Sequence, residues 1–227
     1  MNTAIQSICF NLSQHPEARD ISLKRSQVHE VIAALFGYAS HAALIQEGKG
    51  ESKGYEFSEA EFVVLNLPKG TERAKKFNLS DELFRICVLE VKSGMPVPVF
   101  ESVEDFYEDY LREFLERFIY DGAEETGEMA DSNASFYDYP EMDQNINISG
   151  ELWSAVDEWS IEDTGTLSGE YDPEGHRMYN GHIFNVKGKL KFAKAGRAGL
   201  VFLEDDSDFY LSADETWRDD EPLEMDD

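Results

Sequence analysis

The chain has 227 residues, of which 41% are hydrophobic and 12% aromatic, and this composition excludes a chain that is disordered throughout. Its 47 acidic and 20 basic residues give a formal charge of −27, which opposes direct binding to nucleic acid or to an anionic membrane unless basic residues segregate into a patch. The charge is uneven, because residues 1–100 sum to −1 and residues 101–227 to −26. We therefore expect a basic partner, or a protein that normally binds polyanions.

The first predicted element is a helix over residues 3–14, in which apolar residues at i, i+3, i+4 and i+7 share one face: Ile5, Ile8, Cys9 and Leu12. The following "HPEARDIS" interrupts it.

The lack of a targeting signal and of a disulfide pattern in the sequence predicts a location in a reducing cytoplasm. The N-terminal stretch lacks a charged start and a continuous apolar run, so no signal peptide is predicted. No run approaches the roughly 18 apolar residues of a membrane span. Cys9 and Cys87 both fall in apolar helical surroundings, and we expect two buried free thiols.

The segment "KRSQVHEVIAALFGYASHAALIQE", residues 24–47, predicts a helix, a turn at Gly37 and a second short helix. This is the order of a helix-turn-helix, with Gly37 suited to the left-handed turn position. Its two histidines, His29 and His41, flank the turn and can approach each other. We expect them to be structural or surface histidines.

Binding of DNA by this module is the less favoured interpretation. Only Lys24, Arg25 and Lys49 lie near enough to meet phosphate, whereas specific binding needs several such contacts. A packing module is favoured, and a DNA-binding regulator that uses residues 24–49 remains the alternative.

The central part of the chain predicts three further helices. "SEAEFVVLNLP" predicts a short helix closed by Pro68, and "LSDELFRICVLEVKSG" a helix with a Ser80 cap and a Gly94 stop. The longest is "SVEDFYEDYLREFLERFIYDG", residues 102–122, which has a broad apolar stripe and the spacing of a capping box.

The polar face of this longest helix is the predicted partner-binding surface, because it is almost uniformly acidic and pairs like charges four residues apart. The residues expected there are Glu104, Asp105, Glu108, Asp109, Glu113 and Glu116.

Beyond the acidic, turn-rich residues 122–145, the spacing of apolar residues changes from the helical period to every second residue. "HIFNVKGKLKF" alternates apolar and polar residues, and "GELWSAVDEW", "GTLSGEY" and "GLVFL" are further strand candidates. The predicted class is α+β, with a helical region at 1–121, an acidic loop or linker at 122–145, an antiparallel β region at 146–204 and an acidic tail at 205–227.

Five basic residues gather around the alternating strand: Lys187, Lys189, Lys191, Lys194 and Arg197. Three of them alternate and should share one face. They either neutralise acidic neighbours of the same chain or form a small anion-binding face.

Motifs for catalysis and metal binding are lacking. The sequence contains no nucleophile elbow, phosphate loop or His-Glu-x-x-His motif, and the many carboxylate pairs follow from the acidic composition alone. "DSNASFYDYPEMD" lacks the glycine at the sixth position of a calcium loop. We expect no catalytic residue, no metal and no cofactor.

The segment "SLKRSQVHEVIAALFGYASHAAL" resembles a short helical module of bacterial proteins, found at the head of some glyoxalase-superfamily-like proteins. The later "GTLSGEYDPEGHRMYNGH" and "KAGRAGL" look similar to the β half of one uncharacterised bacterial family. The usual module has His at its start, where this chain has Gln27. The glyoxalase metal-ligand pattern is missing, so the resemblance implies no known activity.

These features favour a non-catalytic, strongly acidic binding or regulatory protein, which could imitate nucleic acid to engage a basic or nucleic-acid-binding protein. The alternatives are the DNA-binding regulator and an enzyme without recognised motifs.

Overall fold

The structure is a computed structural model that describes residues 2–20, 23–47, 55–132, 134–171, 174 and 181–215. The predicted linker "EGKGESKG", the turns within 172–180, Lys49 and the tail after residue 215 lie outside the described residues, apart from Glu47 and Glu174.

The predicted α+β class is confirmed. The helices are α1 (Asn2–Gln14), α2 (Pro16–Asp20), α3 (Arg25–Leu35), α4 (His41–Glu47), α5 (Leu67–Lys76), α6 (Asp81–Gly94), α7 (Val103–Phe106) and α8 (Arg112–Thr126), with a π-helical turn at Tyr107–Leu111 and 3₁₀ turns at Phe57–Glu59 and Glu128–Ser132. The strands are β1 (Phe62–Val64), β2 (Val99–Phe100), β3 (Glu141–Met142), β4 (Asn147–Ile148), β5 (Glu158–Ser168), β6 (Ile183–Ala195), β7 (Gly199–Phe202) and β8 (Asp208–Ala213).

Two of the predicted helix starts are confirmed by their caps. The Ser80 hydroxyl accepts a hydrogen bond from the Leu83 amide at 3.1 Å, which satisfies one free N–H at the start of α6. The Ser102 hydroxyl does the same for Asp105 at 3.0 Å at the start of α7.

The prediction of a short helix closed by Pro68 is wrong. Residues 62–64 form strand β1, and Pro68 lies in the first turn of α5, where its missing N–H costs nothing. All three residues of β1 are buried, so the segment shows a continuous apolar run whose period does not distinguish strand from helix.

The sheet is mixed, because β1 and β2, which lie in the region predicted to be helical, join the antiparallel strand β7. β1 pairs with β2 in parallel, with Val63 opposite Val99, and pairs with β7 antiparallel, with Phe62 opposite Leu200. The parallel pair is possible because α5 and α6 supply the long crossover between β1 and β2 that parallel strands need.

The chain divides into two compact units. Unit 1 comprises the described residues up to Asp109 together with Ser149–Trp159 and Lys191–Leu203. Unit 2 comprises Tyr110–Ile148, Ser160–Leu190 and the described residues from Glu204 onward. The long strands β5 and β6 contribute residues to both.

In unit 1, α1, α3, α5 and α6 pack through buried aliphatic side chains. An aromatic cluster lies beside β1: the Phe106 ring is 5.3 Å from Phe62 and 5.8 Å from Phe192, which is 6.0 Å from Trp159. Offset and edge contacts of this kind add to the stabilisation from area burial.

In unit 2, β8 pairs antiparallel with residues 184–189 of β6, so the segment predicted as an acidic tail includes a strand. Leu115 and Ile119 of α8 lie directly over Gly188 of β6, and the Phe118 ring is 6.0 Å from Phe209 of β8. Helix α8 therefore covers one face of these strands.

The turn between β3 and β4 depends on a buried carboxylate. Asp163 of β5 is 1% exposed, and its oxygens accept hydrogen bonds from the amides of Gln144 and Asn145, each at 3.2 Å, and of Thr164 at 2.8 Å. Gln144 has φ of +60°, a strained value for this residue type that the two turn bonds offset.

Gly165→Ala should destabilise unit 2, because an added Cβ would lie 2.9 Å from the Met142 Cα and even closer to the Glu141 carbonyl, both of which are backbone. We expect a loss of about 1–3 kcal/mol in the free energy of unfolding, measured by urea denaturation. Ser168→Ala, at an exposed position of the same strand, is the control and should change little. Equal stability of wild type and Gly165→Ala would contradict this packing.

Candidate functional site

The acidic helix face predicted for partner binding is exposed along most of its length. Glu104, Asp105, Glu108, Asp109 and Glu113 are exposed to solvent. Glu116 is half-buried, and burial first and then the negative charge of Glu113 raise the pKa of its carboxyl, against the effect of Arg112.

The predicted single helix over 102–122 is wrong in one respect. Residues 107–111 form a π-helical turn, and the helix then continues to Thr126. In such a turn the backbone bonds run to i+5, so a spacing of four no longer places side chains directly above one another. The acids up to Asp109 belong to unit 1, and Glu113 and Glu116 belong to unit 2.

The five basic residues around β6 differ in their exposure and in their partners. The Lys187 ammonium pairs with Glu162 of β5 at 2.8 Å, which neutralises an acid of the same chain. Lys189 and Lys191 are half-buried, Arg197 is exposed with its Nε 3.9 Å from the Glu47 carboxylate, and Lys194 is buried. Lys187 and Lys189 lie in unit 2, the others in unit 1.

Lys194 is the most unusual of these residues, because its side chain is charged by nature and only 4% exposed. Its Nζ donates to the Arg197 carbonyl at 2.8 Å. Burial lowers the pKa of the amine to about 7, although the nearby Glu47 carboxylate acts in the opposite direction. The amine is therefore about half neutral at pH 7, the form in which lysine is a base or nucleophile.

The turn between α3 and α4 contacts Arg197, the residue whose carbonyl accepts the hydrogen bond from Lys194. Tyr38 is 1% exposed, and its hydroxyl oxygen accepts the Arg197 amide at 3.1 Å. Burial is the main cause that raises the pKa of this phenol to about 12. Gly37 has φ of +82°, and an added Cβ there would lie 3.0 Å from Trp153, so both conformation and space require glycine.

Two cations of α5 hold the carbonyls of this turn, and sequence reasoning missed both. The Lys69 ammonium donates to the Gly37 carbonyl at 2.6 Å, and the Arg73 guanidinium donates to the Ala39 carbonyl at 2.7 Å and to Glu30. Burial, then the positive charges of Arg197 and Arg73, lower the pKa of Lys69. The "PKGTERAKK" run was the available signal, since Lys69 and Arg73 stand four residues apart on one helix face.

The expectation that His29 and His41 approach each other is confirmed. His29 Nδ1 and His41 Nε2 are 3.0 Å apart, and the rings meet edge to face. His29 Nε2 is buried without a hydrogen-bond partner. A buried bare lone pair costs less than a buried unpaired N–H, so we assign the proton between the rings to His29 Nδ1, which donates to His41.

The pair ties α3 to α4 as a structural contact. Burial, followed by the charges of His41 and Arg25, lowers the pKa of His29. Glu30 also joins the two helices, because its carboxylate accepts the His41 amide at 3.1 Å.

The described residues show neither a metal-binding cluster nor a membrane-spanning helix. Among the residues that the structure describes, no group of three or more His, Cys, Asp or Glu is placed to hold a metal ion. Within the same residues, no helix has the length and apolar character needed to cross a membrane.

No family model, curated protein or solved structure matches the chain. The resemblance of its N-terminal segment to a bacterial helical module therefore stays an expectation from the sequence.

Lys194→Met should change the pH dependence of stability. The folded state holds fewer protons at this site than the unfolded state between about pH 7 and the ordinary lysine value, so wild-type stability should rise with pH in that window, by up to about 1.4 kcal/mol per unit. Urea unfolding at pH 7.0, 7.75 and 8.5 measures this slope. The range stops there because the buried Cys9 and Cys87, whose pKa burial raises to about 12, act with the opposite sign above it.

In Lys194→Met the slope should become shallower, because Lys69, whose pKa is also lowered, remains, and the variant should be at least as stable as wild type at pH 7. The control Lys191→Met, three residues away on the same strand, should keep the wild-type slope. Parallel slopes for wild type and Lys194→Met would show that the amine does not titrate in this range.

The variant His29→Gln tests the histidine pair by its effect on stability at acidic pH. Because the pKa of His29 is lowered in the folded state, wild type should lose stability as the pH falls below about 6.5. The stability advantage of wild type over His29→Gln should therefore shrink between pH 7.5 and 5.5, as measured by urea unfolding. His182→Gln is the control, and an advantage that stays constant over this range would contradict the assignment.

Proposed function

We propose that this protein is a non-catalytic, strongly acidic binding protein that engages a basic, nucleic-acid-binding protein by presenting carboxylates in place of phosphates. The observation that carries the proposal is the exposure of Glu104, Asp105, Glu108 and Asp109 together within the first two turns of one helical segment. The free, buried thiols of Cys9 and Cys87 support a reducing cytoplasm as its location.

The contacts that the basic residues make within the chain support this proposal. Lys69 and Arg73 donate to backbone carbonyls, Lys187 pairs with Glu162, and Lys92 pairs with Glu101 at 2.8 Å. These four cations are therefore engaged by groups other than the acids at 104–109. Dense negative charge of this kind raises the association rate with a basic surface and makes the affinity depend on salt.

The alternative of a DNA-binding regulator has weaker support. Helix α4, which would enter the groove, is "HAALIQE" and contains no lysine or arginine. It ends at Glu47, and the cations nearest to its turn, Lys69 and Arg73, donate to carbonyls of the turn itself.

Replacement of Glu104, Glu108 and Glu113 with glutamine removes charge while it keeps side-chain size and helix propensity. The fold should be retained, because all three side chains are exposed to solvent, and substitutions at exposed positions usually change stability by less than about 0.5 kcal/mol. Capture of nucleic-acid-binding proteins from a nuclease-treated bacterial lysate should fall about tenfold, with a shallower dependence on salt. Added duplex DNA should displace the same proteins from the wild type.

The matched control replaces the exposed Glu82, Glu158 and Glu204 with glutamine, an equal loss of charge at other positions. This control should capture partners like the wild type. If the helix variant is folded and captures the same partner with unchanged strength and salt dependence, the helix face is not the binding surface. Partners that duplex DNA does not displace would argue against nucleic-acid mimicry.

A further inference from the structure

Two tyrosines in unit 2 are presented to solvent by a short loop. Tyr137 is 73% exposed and Tyr139 is 54% exposed, with Asp138 exposed between them. Single exposed apolar residues are common, but two exposed aromatic rings within three residues offer apolar area that suits an interaction. Tyrosine is among the residue types enriched at the centre of protein interfaces.

The start of the loop is fixed by backbone and ring contacts. Ser135 and Glu170 exchange both backbone hydrogen bonds, at 2.8 and 2.7 Å. The Tyr120 hydroxyl of α8 donates to the Phe136 carbonyl at 3.0 Å, and the Phe136 ring is 5.7 Å from Phe184. The chain is thus anchored immediately before Tyr137.

The end of the loop is fixed equally closely. Pro140 and Met142 are buried, and Glu141 and Met142 pair with β5 as strand β3. The Tyr139 ring meets the Tyr120 ring edge to face, with centroids 5.2 Å apart. A loop held at both ends loses little conformational entropy when a partner binds, so its exposed rings are already arranged for contact.

Three acidic residues lie next to Tyr120 or Tyr139 in the chain, or one helical turn from Tyr120: Asp121, Glu124 and Asp138. After burial, the influences that raise the pKa of the Tyr120 phenol are Glu124, Tyr139, Asp121 and Asp138. Asp121, Glu124 and Asp138 are all exposed to solvent. Aromatic faces and carboxylates therefore occur side by side.

We propose that Tyr137 and Tyr139, with Asp121, Glu124 and Asp138, form a docking surface for an arginine-bearing, basic segment of a partner protein. This proposal rests on the proposed function as an acidic binding protein and names a second contact for the same kind of partner.

Arginine fits this surface better than lysine. A guanidinium is planar and weakly hydrated, so it can stack on a tyrosine ring while its N–H groups pair with a carboxylate. An ammonium of equal charge is a compact, strongly hydrated point charge and gains mainly from the carboxylates. Because a guanidinium also pairs with carboxylates, the loss of an arginine preference when the two rings are removed is what separates the tyrosines from the general acidity of the protein.

The test measures binding of two fluorescent peptides, nona-arginine and nona-lysine, by anisotropy at 0.15 M salt. Wild type should bind nona-arginine roughly tenfold more tightly than nona-lysine. The double variant Tyr137→Ser, Tyr139→Ser should weaken the binding of nona-arginine alone, so that the two affinities differ by no more than about twofold. The double variant Tyr137→Phe, Tyr139→Phe keeps both rings and should retain the preference for nona-arginine. Tyr210→Ser, at a 65% exposed tyrosine of β8, is the matched control and should behave like wild type.

Removal of the three carboxylates by Asp121→Asn, Glu124→Gln and Asp138→Asn should weaken the binding of both peptides and make it less dependent on salt. Thermal unfolding of each variant checks its fold, and Tyr137→Ser alone replaces the double variant if the latter unfolds. Equal wild-type affinities for the two peptides, or a preference that survives loss of both rings, would overturn this proposal.

The outcomes also separate this surface from the proposed function. If both peptides bind equally and the glutamine variant at Glu104, Glu108 and Glu113 loses them, the protein is an acidic binder but the tyrosine surface is not its site. If wild type binds neither peptide, both proposals fail.

Discussion

The alternation of buried and exposed side chains along β6 is the constraint on which much of the structure depends. From Phe184 through Val186 and Leu190 to Phe192 every second side chain is buried, and at 192–195 all four residues are buried. Residues 184–189 of the strand pair with β8 in unit 2, and residues 192–195 pair with β7 in unit 1. A shift of register by one residue would exchange all of these side chains with the lysines between them, so the strand fixes its own position.

The end of this alternation explains why one lysine differs from its neighbours. Lys187, Lys189 and Lys191 lie in the alternating part and stay at least partly exposed, whereas Lys194 lies in the stretch 192–195, where every residue is buried. Its amine must then be buried, and a backbone carbonyl rather than a carboxylate is its hydrogen-bond partner. Desolvation without close charge compensation is what lowers the pKa of a buried amine.

Several basic side chains are engaged by other groups of the chain, whereas the acids of two surfaces face solvent. Several basic side chains are used within the protein: Lys69 and Arg73 hold the turn after α3, and Lys187 and Lys92 pair with glutamates. The acids of the helical segment from residue 103, and those around Tyr137 and Tyr139, face solvent. An excess of acids on the outside opposes compaction through self-repulsion, and the apolar and aromatic cores offset it.

The sequence by itself determined the α+β class, the caps of α6 and α7, the course of β6 and the approach of His29 to His41, because each follows from local spacing or from a short connection. Only the tertiary structure decided the parallel pairing of β1 with β2, the π-helical turn at 107–111 and the anchoring of the Tyr137–Tyr139 loop. Each of these depends on contacts with residues distant in the chain or on a local change of backbone hydrogen bonding that leaves no periodic pattern. Lys194 belongs to the second group, since its burial follows from the packing around residues 192–195 and not from the alternation of the strand.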